Sequence, residues 1–272
     1  MNSKSILNKI KNYDISAKKF YGQNFLFDEN ILRKIVEKSN IKEKINILEI
    51  GPGPGGLTQE ILKSNVNEVF VIEKDKELLP LLEDIKKSFP NKLNIIFDDA
   101  LNFDIRKLNH SPFKIISNLP YNISTILLIK WLTTDICHTS CVSLTLMFQK
   151  EVAERIVAKK GSSKRSRISI ISELYTNAKM VLNVSPGSFV PRPKVNSALV
   201  YFEILKKPRF DHNQARLKLI IDAAFNQKRK MIKSSLKKVF PNVELVLKKV
   251  GIDKTNRPQS IELKSFCDLS LI

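Results

Sequence analysis

The stretch Asn46-Ile-Leu-Glu-Ile-Gly-Pro-Gly-Pro-Gly-Gly-Leu-Thr58 carries the clearest structural signal in the chain. Its first five residues are mainly apolar and predict a buried strand, and the glycines and prolines that follow predict a tight turn. A helical pattern begins near Leu57. A strand, a glycine-rich turn and a helix in this order are typical of α/β proteins that bind a nucleotide-like ligand at the turn.

The ligand at this turn can be narrowed from the residue types. Three glycines match the dinucleotide fingerprint G-x-G-x-x-G: Gly51, Gly53 and Gly56. Glu73 follows at about the position of a ribose-binding acid. Pro52 and Pro54, however, remove two backbone N–H groups that would cradle a pyrophosphate. S-adenosylmethionine contains adenosine but no phosphate, so the turn favours a methyltransferase over the alternative, an NAD-dependent oxidoreductase.

Length and charge set the general class of the protein. The 272 residues are 43% hydrophobic, which is enough for one sizeable domain and one small one. The formal net charge of +19 indicates a polyanionic partner, either nucleic acid or an acidic membrane face. No segment is apolar enough to span a bilayer, and the first residues lack a signal-peptide core. We therefore expect a cytoplasmic protein with no membrane association.

Cysteine and histidine do not form a recognisable site in the sequence. The three cysteines do not suit a disulfide framework, and the three histidines are scattered: Cys137, Cys141 and Cys267, with His110, His138 and His212. No second cysteine pair or neighbouring histidine completes a metal-binding set. We expect reduced, structural cysteines and no metal.

The N-terminal part has two open interpretations. A basic arm runs to about Lys19, an aromatic cluster covers 20–27, and Asp28 is placed to cap an amphipathic helix. Residues 23–26 form either a loop that plugs the edge of the domain or a lid on the cofactor, with Asn24 free to bind it. Composition alone does not separate the two.

Strands and helices then alternate. The predicted strands are Glu68–Ile72, Leu93–Phe97, Lys114–Ser117 and Val142–Phe148, and the predicted helices are Asp75–Ser88, Thr125–Leu132 and Lys150–Ala158. This alternation predicts a mostly parallel sheet with helices on both faces and a ligand at the carboxyl ends of the strands. Glu73, Asp98-Asp99 and 118–121 all fall at such ends.

The polar residues at these ends suggest a reaction. Asp99 is placed to accept from the exocyclic amine of the cofactor's adenine, although it or Asp98 can equally be a turn cap. In Asn118-Leu119-Pro120-Tyr121, the Asn118 oxygen and the Leu119 or Pro120 carbonyl can accept both hydrogens of an aromatic amine. Such bonds would push its nitrogen toward tetrahedral geometry and aim the lone pair at a methyl group, while Tyr121 stacks on the base. Catalysis would be mostly positioning and electrostatics.

Five ordered motifs together resemble a known family. They are Lys19-Phe-Tyr-Gly-Gln-Asn-Phe-Leu26, Glu49-x-Gly-Pro-Gly-x-Gly-x-Leu-Thr58, Asn118-Leu-Pro-Tyr-Asn-Ile-Ser124, Phe148-Gln-Lys-Glu-Val-Ala-Glu-Arg155 and Ser185-Pro-Gly-Ser-Phe-Val-Pro-x-Pro-Lys-Val-x-Ser-Ala198. This set is similar to that of the small-subunit ribosomal RNA adenine dimethyltransferases, whose loss gives kasugamycin resistance. The resemblance runs from about residue 15 to the C-terminus.

The resemblance implies roles for particular residues. Six would line the S-adenosylmethionine site: Asn24, Leu26, Gly51, Glu73, Asp99 and Asn118. Tyr121 and Phe189 would flank the target base. Two adjacent adenosines in a hairpin loop near the 3′ end of 16S rRNA would each receive two methyl groups. Asp98, where the family often has glycine, is a departure from the pattern.

The C-terminal third is the most basic part of the chain. The final strands 178–184 and 197–205 predict an antiparallel hairpin at the sheet edge, whose proline-rich connection presents Phe189. Residues 206–272 contain 16 Lys or Arg against 6 Asp or Glu and predict a small all-helical domain. In the basic run 225–238 and the residue after it, one apolar stripe would be formed by Met231, Ile232, Leu236 and Val239. The candidate RNA contacts lie there and in a flexible loop at 159–167: Lys164, Arg165, Arg167, Lys228, Arg229, Lys230 and Lys233.

The sequence therefore predicts an α/β protein with a Rossmann-like class I methyltransferase sheet in residues 1–205 and an RNA-binding helical domain in 206–272. We expect a monomer that acts on 16S rRNA in the small ribosomal subunit or its precursor. Two further alternatives stay open. One is a large-subunit methylase of the erythromycin-resistance type, and the other is a ribosome-assembly factor that retains the fold.

Overall fold

The computed structural model describes residues 22–108, 112–135 and 140–272. The basic arm, the first two residues of the aromatic cluster and His110, Cys137 and His138 lie outside these ranges. The chain divides into two compact units. The first consists of residues up to 153 together with 179–204, and the second of 154–178 together with 205–272. We predicted from the sequence that residues 154–178 belong to the sheet domain, whereas in the structure they belong to the second unit.

The first unit is built on a seven-stranded sheet with the order β4-β3-β2-β5-β6-β9-β7. The strands are β1 Phe25–Leu26, β2 Asn46–Ile50, β3 Val69–Glu73, β4 Leu93–Phe97, β5 Phe113–Ser117, β6 Cys141–Gln149, β7 Thr176–Val184, β8 Phe189–Val190 and β9 Ser197–Ile204. The pairs from β4 to β6 are parallel, and β9 is antiparallel to β6. The predicted fold class, a mostly parallel sheet with an antiparallel edge, is confirmed.

The helices of the first unit follow the predicted order with two local differences. They are α1 Glu29–Lys38, α2 Gly56–Leu62, α3 Leu79–Ser88 and α4 Tyr121–Lys130. Asp28 caps α1 as predicted, because its side chain accepts from the N–H groups of Asn30 and Ile31. A 3₁₀ turn precedes α3, where Pro80 occupies the first turn. Helix α4 begins four residues earlier than predicted, directly after Pro120.

The core of the first unit comes from the central strands. Ile47, Leu48, Ile115 and Leu146 are fully buried, as expected for a parallel sheet covered on both faces. A separate two-stranded ribbon pairs β1 with β8, so that Leu26 lies opposite Phe189. Both side chains belong to the main hydrophobic cluster. This ribbon fixes residues 25–26 beside the glycine turn, because a Cβ atom at Gly53 would lie 3.1 Å from the Phe25 ring.

The second unit is mainly helical. Helix α5, Lys150–Ile156, leads into it, and the remaining helices are α6 Arg167–Tyr175, α7 Gln214–Asn226, α8 Ile232–Leu236, α9 Val243–Lys249 and α10 Leu263–Ser270. The predicted apolar stripe is only partly correct. Ile232 and Leu236 are buried, but Met231 is 46% exposed because the chain turns between α7 and α8. In the part of the chain described, none of the helices is long and apolar enough to cross a membrane.

Candidate active site

A cleft opens at the carboxyl ends of the parallel strands in the first unit. Its volume, including the part that is open to solvent, is about 940 Å³. It gathers every predicted cofactor and catalytic residue except Phe189: Asn24, Leu26, Gly51, Glu73, Asp99, Asn118, Leu119, Pro120 and Tyr121. These residues come from distant parts of the chain, and the parallel topology brings them to one edge.

The glycine turn offers few donors to a phosphate. The Gly51 N–H donates to the Ile72 carbonyl (2.9 Å), and the Gly55 N–H donates to Pro52 (3.0 Å). The Gly53 N–H donates to Glu73 Oε2 (3.2 Å). The two prolines of the turn have no N–H at all. Residues 51–55 therefore present no uncommitted backbone donor, which weakens the dinucleotide alternative.

Glu73, at the end of β3, is held in a fixed orientation by the backbone. Its Oε1 accepts from the N–H groups of Lys74 and Asp75, both at 2.9 Å, and its Oε2 accepts from Gly53. Burial raises the pKa of Glu73, and the backbone hydrogen bonds oppose that shift. A carboxylate fixed in this way is suited to accept from vicinal hydroxyl groups such as those of a ribose.

Glu49, near the end of β2, begins one of the five motifs and lines the cleft, but we did not predict it as a site residue. Its side chain is 2% exposed, and its Oε2 accepts from the Thr58 hydroxyl at 2.6 Å. Burial raises the pKa of Glu49 to about 8, with Thr58 opposing the shift and Glu73 adding to it. Its place two residues before Gly51, as the one charged residue of the apolar strand, was the signal that could have found it.

The loop after β4 carries both aspartates, and each accepts a hydrogen bond from the backbone, but only Asp99 caps a turn. Asp98 Oδ1 accepts from the Asp99 N–H (2.7 Å), and Asp99 Oδ1 accepts from Leu101 (2.9 Å). Asp99 Oδ2 lies 3.4 Å from Lys74 Nζ. Both aspartates line the cleft, so the turn-cap and cofactor interpretations are compatible. Lys130 of α4 secures the same loop by donating to the carbonyls of Leu101 (2.9 Å) and Phe103 (3.1 Å).

The segment 118–121 joins β5 to α4. Asn118 Nδ2 donates to the Asn24 carbonyl at 3.2 Å, which leaves Oδ1 as the accepting branch of the amide. The Pro120 carbonyl accepts from the N–H groups of Ile123 and Ser124 and is therefore engaged in starting the helix. Of the two backbone carbonyls considered from the sequence, Leu119 is the better candidate for a substrate amine.

Tyr121 is anchored through its hydroxyl group. The hydroxyl lies 2.5 Å from the Oγ of Ser197, which is fully buried at the start of β9. Burial raises the pKa of Tyr121, so the phenol stays neutral. The ring is consequently held at the cleft by a contact between residues that are distant in sequence.

Phe189 does not line the cleft. Its side chain is 2% exposed and packs in the hydrophobic cluster beside Leu26. Contrary to the prediction, the proline-rich connection does not present Phe189 to the active face in the structure. Its partner strand β1 draws it into the core, and a role as a base platform would require that ribbon to open.

The predicted RNA contacts all lie in the second unit. Lys228 Nζ donates to the Ser163 carbonyl at 3.2 Å, which brings the turn after α7 against the loop between α5 and α6. Arg229 and Lys230 are exposed. Lys164, Arg167 and Lys233 each form a surface ion pair with an acidic residue, an interaction of little strength.

Arg165 is an exception among these seven residues. Its side chain is fully buried and donates to Glu173 Oε2 at 3.0 Å. A buried guanidinium cannot reach an RNA phosphate, so we withdraw Arg165 as a direct contact and assign it a structural role. The loop that carries it is also held by backbone bonds, including Gly161 N–H to the Gln259 carbonyl (2.8 Å), rather than being a flexible tether.

Within residues 22–108, 112–135 and 140–272, no group of three or more metal-ligating side chains is arranged to hold an ion. Cys141 and Cys267 are free and buried, and burial raises the pKa of each thiol to about 12. Thiols of this kind are poor nucleophiles.

Comparison with known proteins agrees with the geometry. The seven-stranded sheet and the cleft at its carboxyl edge define a Rossmann-like methyltransferase of class I. A family model described as ribosomal RNA adenine dimethylase matches residues 15–272, and the chain belongs to this family. The family and the enzyme class predicted from the five motifs are confirmed.

Individual relatives cover nearly the whole chain. Two are named ribosomal RNA small subunit methyltransferase A, from Ruegeria sp. (strain TM1040) and Paracoccus denitrificans. Each is 43% identical over 261 residues, covering 96% of this chain and 93% of the relative. A dimethyladenosine transferase from Plasmodium falciparum superposes with a TM-score of 0.76 and 25% identity, covering 91% of this chain and 96% of that one. The 23S rRNA methyltransferase ErmE (TM-score 0.69, 23% identity, 91% and 98% covered) supports the fold alone.

Proposed function

We propose that this protein transfers methyl groups from S-adenosylmethionine to the N6 amines of two adjacent adenosines near the 3′ end of 16S rRNA, two to each. The observation that carries the proposal is the orientation of Asn118. Its Nδ2 is committed to the Asn24 carbonyl, so its Oδ1 is the branch available to accept from a substrate amine in the cleft.

The cleft has the donor and acceptor set that fits S-adenosylmethionine. Glu73 would accept from the ribose hydroxyls and Asp99 from the adenine amine, while a turn without uncommitted N–H groups suits a ligand without phosphate. The residues proposed to line the site are Asn24, Leu26, Gly51, Glu73, Asp99 and Asn118. When bound, S-adenosylmethionine supplies an electrophilic methyl group on a sulfonium.

The protein's task is then to make the adenine amine nucleophilic. Asn118 Oδ1 and the Leu119 carbonyl would accept its two hydrogens, which draws the nitrogen toward tetrahedral geometry and directs its lone pair out of the ring plane. Tyr121, held by Ser197, would stack on the base. No general base is needed, because the methylated amine loses its proton afterwards to water. The catalytic contribution is positioning and electrostatic stabilisation.

We further propose that the second unit docks the RNA. It contains 22 Lys or Arg against 8 Asp or Glu, so most of the net charge of the chain lies in it. The contact between Lys228 and Ser163 joins its two basic segments into one surface. The surface ion pairs are weak enough to exchange their acidic partners for phosphates. We infer a monomeric, cytoplasmic enzyme that acts on small subunits or their precursors.

The proposal is tested by transfer of labelled methyl from S-adenosylmethionine to unmethylated small subunits, large subunits and free RNA, followed by mass spectrometry of the nucleosides. We expect dimethyladenosine at two adjacent positions of small-subunit RNA alone. Label in the large subunit would instead indicate an enzyme of the erythromycin-resistance type. Cofactor binding without any transfer would indicate an assembly factor.

The role of Asn118 is tested in the same assay. Asn118→Ala should abolish turnover while S-adenosylmethionine binding is largely retained. Asn67→Ala, at an exposed asparagine bonded to Asn46, is the matched control and should be fully active. Near-normal turnover by Asn118→Ala would refute amine activation by this residue.

A further inference from the structure

The residues Gly22–Phe27, which we name the cleft segment, contact two walls of the cleft and the turn before β8. Phe25 covers the glycine turn, since a Cβ atom at Gly53 would lie 3.1 Å from its ring. At Gly22 an added Cβ would lie 2.9 Å from Asn122 Oδ1 of α4. The Phe27 N–H donates to the Ser188 carbonyl at 3.2 Å. The segment is thus docked on the site rather than merely adjacent to it.

On the cofactor side, the cleft segment is tied to the residue that supports Glu73. Gln23 Nε2 donates to Asp75 Oδ2 at 3.0 Å, and Asp75 is 3% exposed. The other Asp75 oxygen accepts from the Glu77 N–H (3.2 Å). The Asp75 backbone N–H donates to Glu73 Oε1 (2.9 Å). Gln23 is therefore one hydrogen-bonded residue away from the proposed ribose-binding acid.

On the catalytic side, the neighbouring residue sets the orientation of Asn118. The Asn24 carbonyl accepts from Asn118 Nδ2, and this bond determines which branch of the amide faces the substrate. Without the Asn24 carbonyl in place, the amide could rotate and present its Nδ2 instead. A donor at that position would repel the hydrogens of the target amine rather than accept them.

We propose that Gln23 is a positioning residue for methyl transfer: by docking the cleft segment on Asp75, it places the Asn24 carbonyl that orients the Asn118 amide. The inference rests on the proposed function of Asn118. Hydrogen bonds join Glu73 to Asp75 and Asp75 to Gln23, the polypeptide itself joins Gln23 to Asn24, and a further hydrogen bond joins Asn24 to Asn118. One docked segment therefore sets both the cofactor wall and the catalytic amide.

A purely structural plug would behave differently. If the segment only sealed the hydrophobic core, loss of the Gln23 bond would lower the melting temperature and leave the rate of the folded enzyme unchanged. A positioning role instead lowers the rate of the chemical step, because small displacements of a catalytic group cost up to about a hundredfold.

The test uses a pair of variants in which the hydrogen bond is broken and then restored. Gln23→Glu places two carboxylates against each other, and adding Asp75→Asn restores a donor and an acceptor with reversed polarity. Asn30→Asp, on the exposed first turn of α1, adds the same charge without meeting Asp75 and serves as control. Single-turnover methyl transfer to small subunits and hydrogen exchange of the peptide containing Phe27 are measured for each protein.

We expect Gln23→Glu to lower the single-turnover rate by about tenfold or more and to speed exchange of the Phe27 amide. The single-turnover rate of the double variant should return to within about threefold of the rate of Asp75→Asn alone. A slow double variant, or faster exchange with an unchanged rate, would overturn the proposal. Gln23→Met, which removes the bond without adding charge, gives a second measurement if either Asp75 variant fails to fold.

Failure of the proposed function has a separate signature. If Asn118 does not activate the amine, Asn118→Ala remains active whatever happens at Gln23. If Asn118→Ala is inactive but Gln23→Glu is as fast as the unaltered protein, only the positioning role of Gln23 is refuted.

Discussion

The Tyr121 hydroxyl and the Ser197 Oγ lie 2.5 Å apart, although the two residues are 76 positions apart in the chain. Tyr121 begins the helix that follows β5, and Ser197 begins β9, the strand antiparallel to β6. The antiparallel edge of the sheet therefore supports the residue proposed to stack on the substrate base.

This contact predicts a coupled effect on catalysis. Ser197→Ala should lower kcat about two- to tenfold, because a neutral hydrogen bond contributes about 0.5–1.5 kcal/mol. In a Tyr121→Phe background the same change should have almost no further effect, since the hydroxyl is already absent. Steady-state kinetics of the four proteins form a double-mutant cycle. Equal losses in both backgrounds would assign Ser197 a role unrelated to Tyr121.

We predict that Glu49 makes the stability of the protein depend on pH. Its pKa rises from the usual 4.5 to about 8 on folding, so the unfolded state loses the proton first. Between these pH values the unfolded state binds fewer protons, and the free energy of unfolding falls as pH rises. Glu49→Gln removes this penalty. As the pH rises from 4.5 to 8, the free energy of unfolding of the unaltered protein should fall by up to about 4 kcal/mol relative to that of the variant.

Urea unfolding of both proteins across this pH range measures the difference. Glu37→Gln, at an exposed carboxylate of α1 that pairs with Lys38, is the matched control and should parallel the unaltered protein. A stability difference between Glu49→Gln and the unaltered protein that does not change with pH would show that Glu49 is ionised in the folded state.

We predict that Lys130 affects the affinity for the cofactor, although it does not line the cleft. Lys130→Met removes two charge-assisted hydrogen bonds to the loop that carries Asp99. We expect the dissociation constant for S-adenosylmethionine to rise about three- to tenfold, a fraction of the 1.5–3 kcal/mol typical of such bonds. Calorimetric titration measures it. Lys34→Met, at an exposed lysine of α1, should bind like the unaltered protein.

The basic surface of the second unit predicts salt-dependent RNA binding. Reversing the charges of Lys228, Arg229 and Lys230 should weaken RNA binding about tenfold or more at moderate salt and reduce the slope of log K against log salt. Cofactor affinity should not change. Reversal of three exposed lysines of the first unit, Lys34, Lys42 and Lys44, is the control. An unaltered RNA affinity in the first variant would remove this surface from the docking site.

Arg165 provides a contrast within the same unit. Because its guanidinium is buried against Glu173, Arg165→Met should lower the free energy of unfolding by about 1–3 kcal/mol and leave the salt slope of RNA binding unchanged. A smaller slope in a folded Arg165→Met protein would restore its assignment as an RNA contact.

The order of the elements and the location of the cleft were accessible from the sequence, because both follow from local patterns. Alternating strands and helices predict a parallel sheet, and residues at the carboxyl ends of parallel strands meet at one edge. Glu73, Asp99 and Asn118 could be brought together on that basis without any knowledge of their contacts.

Contacts between distant segments were not accessible in the same way. Nothing near Arg165 distinguishes a buried arginine from a surface one, since its partner and its covering residues come from elsewhere. Phe189 is drawn into the core by pairing with β1, and the bond between Gln23 and Asp75 joins residues 52 positions apart. Such pairs depend on tertiary packing, which a single sequence does not display as a periodic pattern.

The pairing of β1 with β8 has a consequence for the synthesis of the protein. Residues 25–26 meet partners about 160 positions later in the chain, so this wall of the cleft forms only after β8 has emerged from the ribosome. A shorter nascent chain can assemble β2, β3 and β4 but has no docked cleft segment. The cleft is therefore complete only late in translation, when most of the polypeptide has been made.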